Sequence, residues 1–559
     1  MKVWLFRIIA LCIPILFFVI LEYSLRLANY GQSYPLFIEN PADTAYKLPR
    51  PDIVKRYFPR NGDVPSVSIE ANFFRAQKPQ NGIRFVVQGG STAAGFPYGF
   101  GASIAGMLDP RLKQTFPNHY VETVNTSLAA VNSYTNLDMV DEIIEQQPDA
   151  VLIYMGHNEF LGILGVGSNY TAANSRSSTL LFLTLKNLRI FQLMQNIYHD
   201  VKHTDRDETS NSQQGHSNTF MAKVAKHKSI PFESDLYHAG LDQFSGNLDL
   251  ILEKYRWANI PVFISTLTSN LLDQAPFSSA PMPENIRLSL EQLIESIKQG
   301  KQVQQRLLQV SKTVEESQNA FANFQLGRIF YSLNDAKNAK KHLLLAKDHD
   351  LLRFRAPEAI NKIILAKALK YDAVIIDAQK RFELRSKHGI VGNNLMLEHL
   401  HPNVEGYFLL SDAFYQGIKN AKIFSEWQNV EPQQAWQQKL LLPAEEYFGF
   451  AKILQLKTDF PFVKNRTQLT LPAPQNWEQQ LGLDLFEKKN DWLNMVQKSQ
   501  QGYMNENNIQ QLLKTQLIIA DALPYNFEAN NKAAELLETL GQKKRASTYH
   551  QRQKWALQN

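Results

Sequence analysis

The chain has 559 residues, a net charge of +6, 20% charged residues and 44% apolar ones, and that length calls for two or three domains rather than one core. The basic residues are scattered and no reading motif accompanies them, which excludes the usual nucleic-acid-binding class. Cys12 is the sole cysteine, so neither an intramolecular disulfide nor a thiolate metal cluster can form.

In chain order, the first segment sets location. Between Val3 and Leu21 the only charge is Arg7, and residues 8–21 are uncharged and apolar apart from Pro14. This is short for a span of about 20 residues, but Lys2 and Arg7 at one end and Glu22 and Arg26 at the other can reach toward the interfaces. A cleaved signal peptide has an apolar core of similar length, yet the sequence continues from Glu22 to Leu27 without a small-x-small cleavage site. Cys12 follows the bulky Leu11 and does not fit a lipoprotein acylation site. Residues 1–27 therefore read as a single-pass inner-membrane anchor. Lys2 and Arg7 keep the N-terminus cytoplasmic and leave the bulk of the chain periplasmic.

Residues 28–80 are rich in Pro, Asn and Gly and read as a stalk and docking segment. Apolar runs at 83–87, 150–155, 261–265 and 373–377 and a further strand candidate at 120–124 follow, alternating with helical patterns. This predicts an α/β fold: a three-layer α/β/α sandwich with a parallel sheet of about five strands, its core split into residues 81–282 and 351–425. One interruption, 161–235, holds an aromatic-aliphatic helix near 179–201 and the polar tract 205–217, expected to be mobile. The other, 283–350, is helical. Leu326-Gly327, Phe330, Ala339, Leu343 and Ala346 there have the spacing of large and small residues found in a tetratricopeptide repeat. Such a unit needs neighbouring helices, here 284–318, and offers a surface to a protein partner. Residues 426–559 read as a helical C-terminal region.

Four short segments carry chemistry, each after a predicted strand, where sites of parallel sheets gather. They are Gly89-Gly90-Ser91-Thr92-Ala93-Ala94-Gly95, Asn125-Thr126-Ser127-Leu128-Ala129-Ala130, Gly156-His157-Asn158-Glu159 and Glu398-His399-Leu400-His401-Pro402-Asn403. A serine on a strand-to-helix turn exposes its hydroxyl beside the N–H groups of the opening helix. A phosphate loop would also be Gly-rich, but no lysine follows at the spacing it requires.

In this order the segments resemble the blocks of the SGNH/GDSL hydrolase superfamily, over residues 83–160 and 250–420. The resemblance implies Ser91 as nucleophile, His401 as general base and then acid, and Glu398 as its orienting carboxylate. It implies an oxyanion hole from the Ser91 N–H, the Asn158 amide and the backbone of Ala130, or of Ala129 after a one-residue shift. The departures are Gly90 where many relatives have Asp, alanine for glycine in the second block, and Glu for Asp in the third and last. The activity implied is hydrolysis of an oxygen ester, with an envelope glycan or lipid as substrate, or O-acyl transfer. A non-catalytic envelope scaffold is the rival reading. No cofactor is expected. No metal is expected either, since paired-His motifs such as H-E-x-x-H are missing. His157 and His399 are expected to be structural, and Arg353 and Arg355 to pair with carboxylates.

Overall fold

The computed structural model describes residues 2–169, 175–204, 221, 224 and 229–557. Among the described residues eight strands form two sheets: β1 (Phe37–Glu39), β2 (Tyr46–Pro49), β3 (Phe74–Arg75), β4 (Gly82–Gly89), β5 (Tyr120–Asn125), β6 (Ala150–Tyr154), β7 (Val262–Ser265) and β8 (Val374–Ile376). The first three make a small antiparallel sheet. The other five form one parallel sheet in the order β5-β4-β6-β7-β8, as the alternating apolar runs predict. Strands covered on both faces need continuous apolar sequence, and Phe85, Val86, Val87 and 151–153 are fully buried.

Helices cover both faces of the sheet. Ile104–Thr115 and Val404–Ala421 pack together on one side. Ser133–Glu145, Asp235–Trp257 and Glu358–Lys370 form the other layer. The chain leaves β4 for β5 on one side and returns to β6 on the other, so the strand order reverses at β4, the place where parallel sheets open a crevice. Gly89 ends β4 so close to its neighbour that a Cβ there would lie 2.2 Å from the Tyr154 carbonyl oxygen.

Residues 36–80 do not stand off as a stalk. Leu36, Ile53, Val54, Tyr57, Ile69 and Phe74 join the core of the main sheet, and Asn72 bonds both backbone groups of Asn125 at the end of β5. The segment carries the small antiparallel sheet β1-β2-β3 between stretches of irregular backbone, and its scattered apolar residues act as single anchors. Helix Lys2–Leu27 contains an apolar stretch, Ala10–Leu27, with mean hydropathy 1.9 and none of it buried. The expected helix near 179–201 is two helices, Arg176–Leu185 and Arg189–Thr204. The tract 205–217 lies outside the described residues.

Residues 283–350 form four helices with a core separate from the sheet's. Leu326, Phe330, Ala339 and Leu343 meet in it, with Leu290 and Leu293 of Glu284–Lys298 and Val310 and Val314 of Gln304–Ser317. Gly327 lets the hairpin helices Ala320–Ser332 and Ala336–Asp348 touch, since a Cβ there would meet Leu343 Cγ at 2.8 Å. Ala346 is also buried. The C-terminal helices, from Pro443–Lys457 to Lys543–Ala556, enclose a further apolar core and reach back to the sheet. There Arg552 Nε donates to the Tyr120 hydroxyl at 3.1 Å, and Lys113 pairs with Asp521 at 3.0 Å.

Candidate active site

Ser91 opens the short helix Ser91–Ala94 directly after β4, with Gly90 extended before it and Gly95 left-handed after it. Its hydroxyl is 2.7 Å from His401 Nε2. His401 arrives from the far end of the chain, on the loop between β8 and the helix Val404–Ala421. That loop is pinned at three points. Asn403 caps the helix by accepting the Gly406 N–H at 2.9 Å, its own N–H reaches the Leu395 carbonyl at 2.9 Å, and Leu397 N–H donates to the His401 carbonyl at 2.9 Å.

Glu398 is fully enclosed beneath His401. One carboxylate oxygen accepts from His401 Nδ1 and from the His401 backbone N–H (3.0 Å); the other accepts from His399 Nδ1 and the Leu400 N–H (3.4 Å). A carboxylate can only accept, so each imidazole presents its Nδ1–H to it and leaves Nε2 as a lone-pair acceptor. Burial and the Lys452 ammonium lower the His401 pKa to about 3, and burial drives His399 well below its ordinary value. Both rings are therefore neutral at pH 7. His401 can receive the Ser91 proton, the state a general base needs. Glu398, His399 and His401 place donor atoms within 4.8 Å of one another, a spacing a metal ion could use. Here, however, both carboxylate oxygens are already engaged by the imidazoles, and Arg355 and Lys457 add positive charge around His399.

Asn158, Ala129 and Ala130 line one cleft of about 400 Å³ with Ser91 and His401. A Cβ built on Gly90 would lie 3.4 Å from Asn158 Nδ2, so the amide faces the Ser91 turn. Ala130 has φ +66°, the left-handed region that favours glycine, which accounts for glycine at this position in the family pattern. Its carbonyl accepts the Ile163 N–H at 2.9 Å, tying the second block to the loop after β6. Glu159, beside Asn158, accepts from Ser133 N–H (3.0 Å), Ser133 Oγ (2.7 Å) and Gln243 Nε2. Burial raises its pKa to about 7 despite those bonds.

Ser91, His401, Asn158 and Ala130 thus line one cleft, and Glu398 lies enclosed behind His401. Other contributors were not foreseen. His399 shares Glu398 with His401 instead of being a bystander, and it is enclosed by the rings of Phe277, Phe354 and Phe462. Phe96 stacks obliquely on His401, with ring centroids 4.7 Å apart. Lys452, Gln455, Leu456 and Asp459, from the helix Pro443–Lys457 and the turn after it, form the opposite wall. The sequence has no motif there that would have flagged them. His157 is buried away from Ser91, its Nδ1 accepting the Ala356 N–H at 3.2 Å, and burial lowers its pKa to about 3. Arg355 meets Asp350 at 3.4 Å as expected. Arg353 does not pair with a carboxylate: its Nε and Nη1 donate to the carbonyls of Ile230 and Asp348, both at 2.8 Å, the guanidinium lies over the Tyr237 ring, and its buried Nη2 has no hydrogen-bond partner.

No family model matches the sequence, and no curated protein matches it. Among solved structures, the acetylxylan esterase Axe2 of Geobacillus stearothermophilus aligns at 12% identity, covering 61% of this chain and 96% of that one with a TM-score of 0.26. A point variant of the same enzyme aligns at 13% identity, with coverages of 63% and 100% and a TM-score of 0.28.

Proposed function

We propose that this chain is a membrane-anchored serine hydrolase of oxygen esters working outside the cytoplasm. The hydrogen-bonded series Ser91–His401–Glu398 carries the reading. A serine hydroxyl is a poor nucleophile until a neighbouring base takes its proton. His401 Nε2 stands where that transfer needs it, and Glu398 fixes the tautomer and stabilises the imidazolium as it forms. As Ser91 Oγ attacks the acyl carbonyl, the new oxyanion takes hydrogen bonds from the Asn158 amide, the Ser91 N–H and the backbone at Ala130. His401 then returns the proton to the leaving alcohol, and water repeats the sequence on the acyl-enzyme. An acceptor hydroxyl in place of that water turns the same steps into O-acyl transfer. The intact series supports an enzyme over a scaffold.

Location points to an envelope glycan or lipid ester as substrate. The apolar helix supports an uncleaved anchor, with the N-terminus in the cytoplasm and the rest of the chain on the periplasmic side of an inner membrane. The hairpin of residues 320–348 supports a tetratricopeptide-like unit available to a protein partner. Fluorophosphonate labelling tests the enzyme: the adduct should map to Ser91, and S91A should be neither labelled nor able to hydrolyse p-nitrophenyl acetate. A folded wild-type protein that stays unlabelled would hand the case to the scaffold reading.

A further inference from the structure

Helix Arg189–Thr204 is inverted for a surface helix. Gln192 and Asn196, four residues apart, face the protein, while Asp200 one turn further on keeps a bond to it although its side chain is 57% exposed. Gln192 Nε2 donates to the Gln32 and Lys186 carbonyls, both at 2.9 Å, and Asn196 Nδ2 donates to the Tyr30 hydroxyl at 3.0 Å. Asn196 Oδ1 accepts the Arg60 N–H at 3.0 Å, and Asp200 Oδ1 accepts from Asn61 at 3.3 Å. The apolar residues of another face turn outward: Met194, Ile197 and Val201 are 55%, 54% and 63% exposed. Leu188, and Leu181 on the preceding helix, add to the exposed apolar surface at 40% and 57%. An ordinary amphipathic helix buries that stripe and wets the polar one.

The same helix is fastened to the end of the apolar N-terminal helix. Glu22 Oε2 accepts the Ile190 N–H at 3.0 Å, and Arg26 Nη2 donates to the Asn187 carbonyl at 3.4 Å. Glu22 and Arg26 also pair with each other at 2.7 Å. The apolar face of residues 194–201 is therefore held beside the point where a spanning helix would leave the bilayer.

We propose that helix Arg189–Thr204 is an in-plane membrane contact, with Met194, Ile197 and Val201 seated in the acyl boundary of a lipid surface. The proposal rests on the anchor reading, because the hydrogen bonds from Glu22 and Arg26 bring this helix to the bilayer. Its chemistry is that of an interfacial helix, an apolar face at the lipid and polar groups away from it. One buried span would leave the domain free to swivel, and the second contact fixes its attitude to the membrane.

Fluorescence quenching tests this on the full chain in phosphatidylethanolamine–phosphatidylglycerol vesicles carrying nitroxide-labelled lipid. One fluorophore sits on native Cys12. In a C12S background, others sit at M194C, at I197C and at L384C, the last replacing a leucine 75% exposed and distant in sequence. Quenching several-fold stronger at 194 and 197 than at 384 is the expected result. Quenching at 12 but not at 194 or 197 would keep the anchor and overturn the in-plane contact. Quenching at neither would overturn both, and quenching at 194 and 197 alone would keep the contact and remove the anchor. Self-quenching at 197 that grows with protein density, without lipid quenching, would mean that a second copy covers this face, and would also overturn the proposal. So would a blue-shifted but unquenched probe at 197, the sign of another part of the chain lying over it.

Discussion

Two loops of the cleft each carry a glutamate where the family pattern has an aspartate, and the two are used differently. Glu398 sits under two imidazoles with backbone N–H groups around it, so every lone-pair direction meets a donor. Glu159 is as deeply buried but meets only Ser133 and Gln243, and burial raises its pKa to about 7. The two differ in the donors around them, not in residue type or depth. In the proposed mechanism Glu398 orients His401, while Glu159 ties the Asn158 loop to the start of the helix Ser133–Glu145.

Breaking the first arrangement should have the largest effect. S91A or H401A should each lower kcat/KM for an ester by about 10⁴-fold or more, and the double variant should be scarcely worse, because the two act as a unit. E398Q should cost roughly 10³-fold. A Gln amide can accept from one imidazole but offers N–H to the other, so one of the two rings must change tautomer. Equal loss in E398Q and E398A would mean that the negative charge alone matters.

The tie made by Glu159 should show itself in stability rather than rate. Glu159 has its pKa raised from 4.5 to about 7, so the folded state holds its proton longer. That contribution is full below pH 4.5 and is lost as pH rises through 7, a swing of about 3 kcal/mol at most. Gln is the neutral isostere, so urea midpoints of wild type and E159Q should lie close together in acid and separate as pH rises through 7, wild type becoming the less stable, with ester turnover changed only modestly. A constant difference from pH 4 to pH 8 would mean that Glu159 is ionised throughout.

The smallest effect concerns the far wall of the cleft. The pKa of His401 is lowered to about 3 by burial and by Lys452, so turnover should persist below pH 6 and fall only as the ring protonates. K452M removes the nearby positive charge and should move that acid limb upward by a fraction of a unit in a kcat/KM–pH profile. A downward movement would show that the ammonium does not act on the base.

The parallel sheet was legible because most of its strands carry apolar runs between helical patterns, and Ser91, Glu398 and His401 were singled out by their segments; the structure brings their side chains into one hydrogen-bonded series. Segment 36–80 was not legible. It docks through isolated anchors such as Leu36, Asn72 and Phe74, and isolated contacts leave no period in a sequence. His399 was passed over because its partner is its own chain neighbour, a contact set by a tight turn that residue spacing does not reveal. Lys452 and Asp459 escaped for the opposite reason: they reach the cleft from a helical region with no motif, across more than three hundred residues of chain from Ser91. Arg353 shows that a buried guanidinium can be held by carbonyls and a ring in place of a carboxylate, so its partner's type could not be inferred from charge.

The placement of that far wall bears on biosynthesis. The turn bearing Ser91 emerges early from the ribosome, and His401 follows much later, but the helix Pro443–Lys457 comes later still. A chain that stops before it would carry the nucleophile and its base with one side of the groove missing, open to water and to any ester that diffuses in. Completion of the polypeptide is thus a built-in safeguard. The cleft closes only once nearly the whole protein has been made and packed, and a truncated product would bring Ser91 and His401 together in an open groove rather than in a smaller copy of this one.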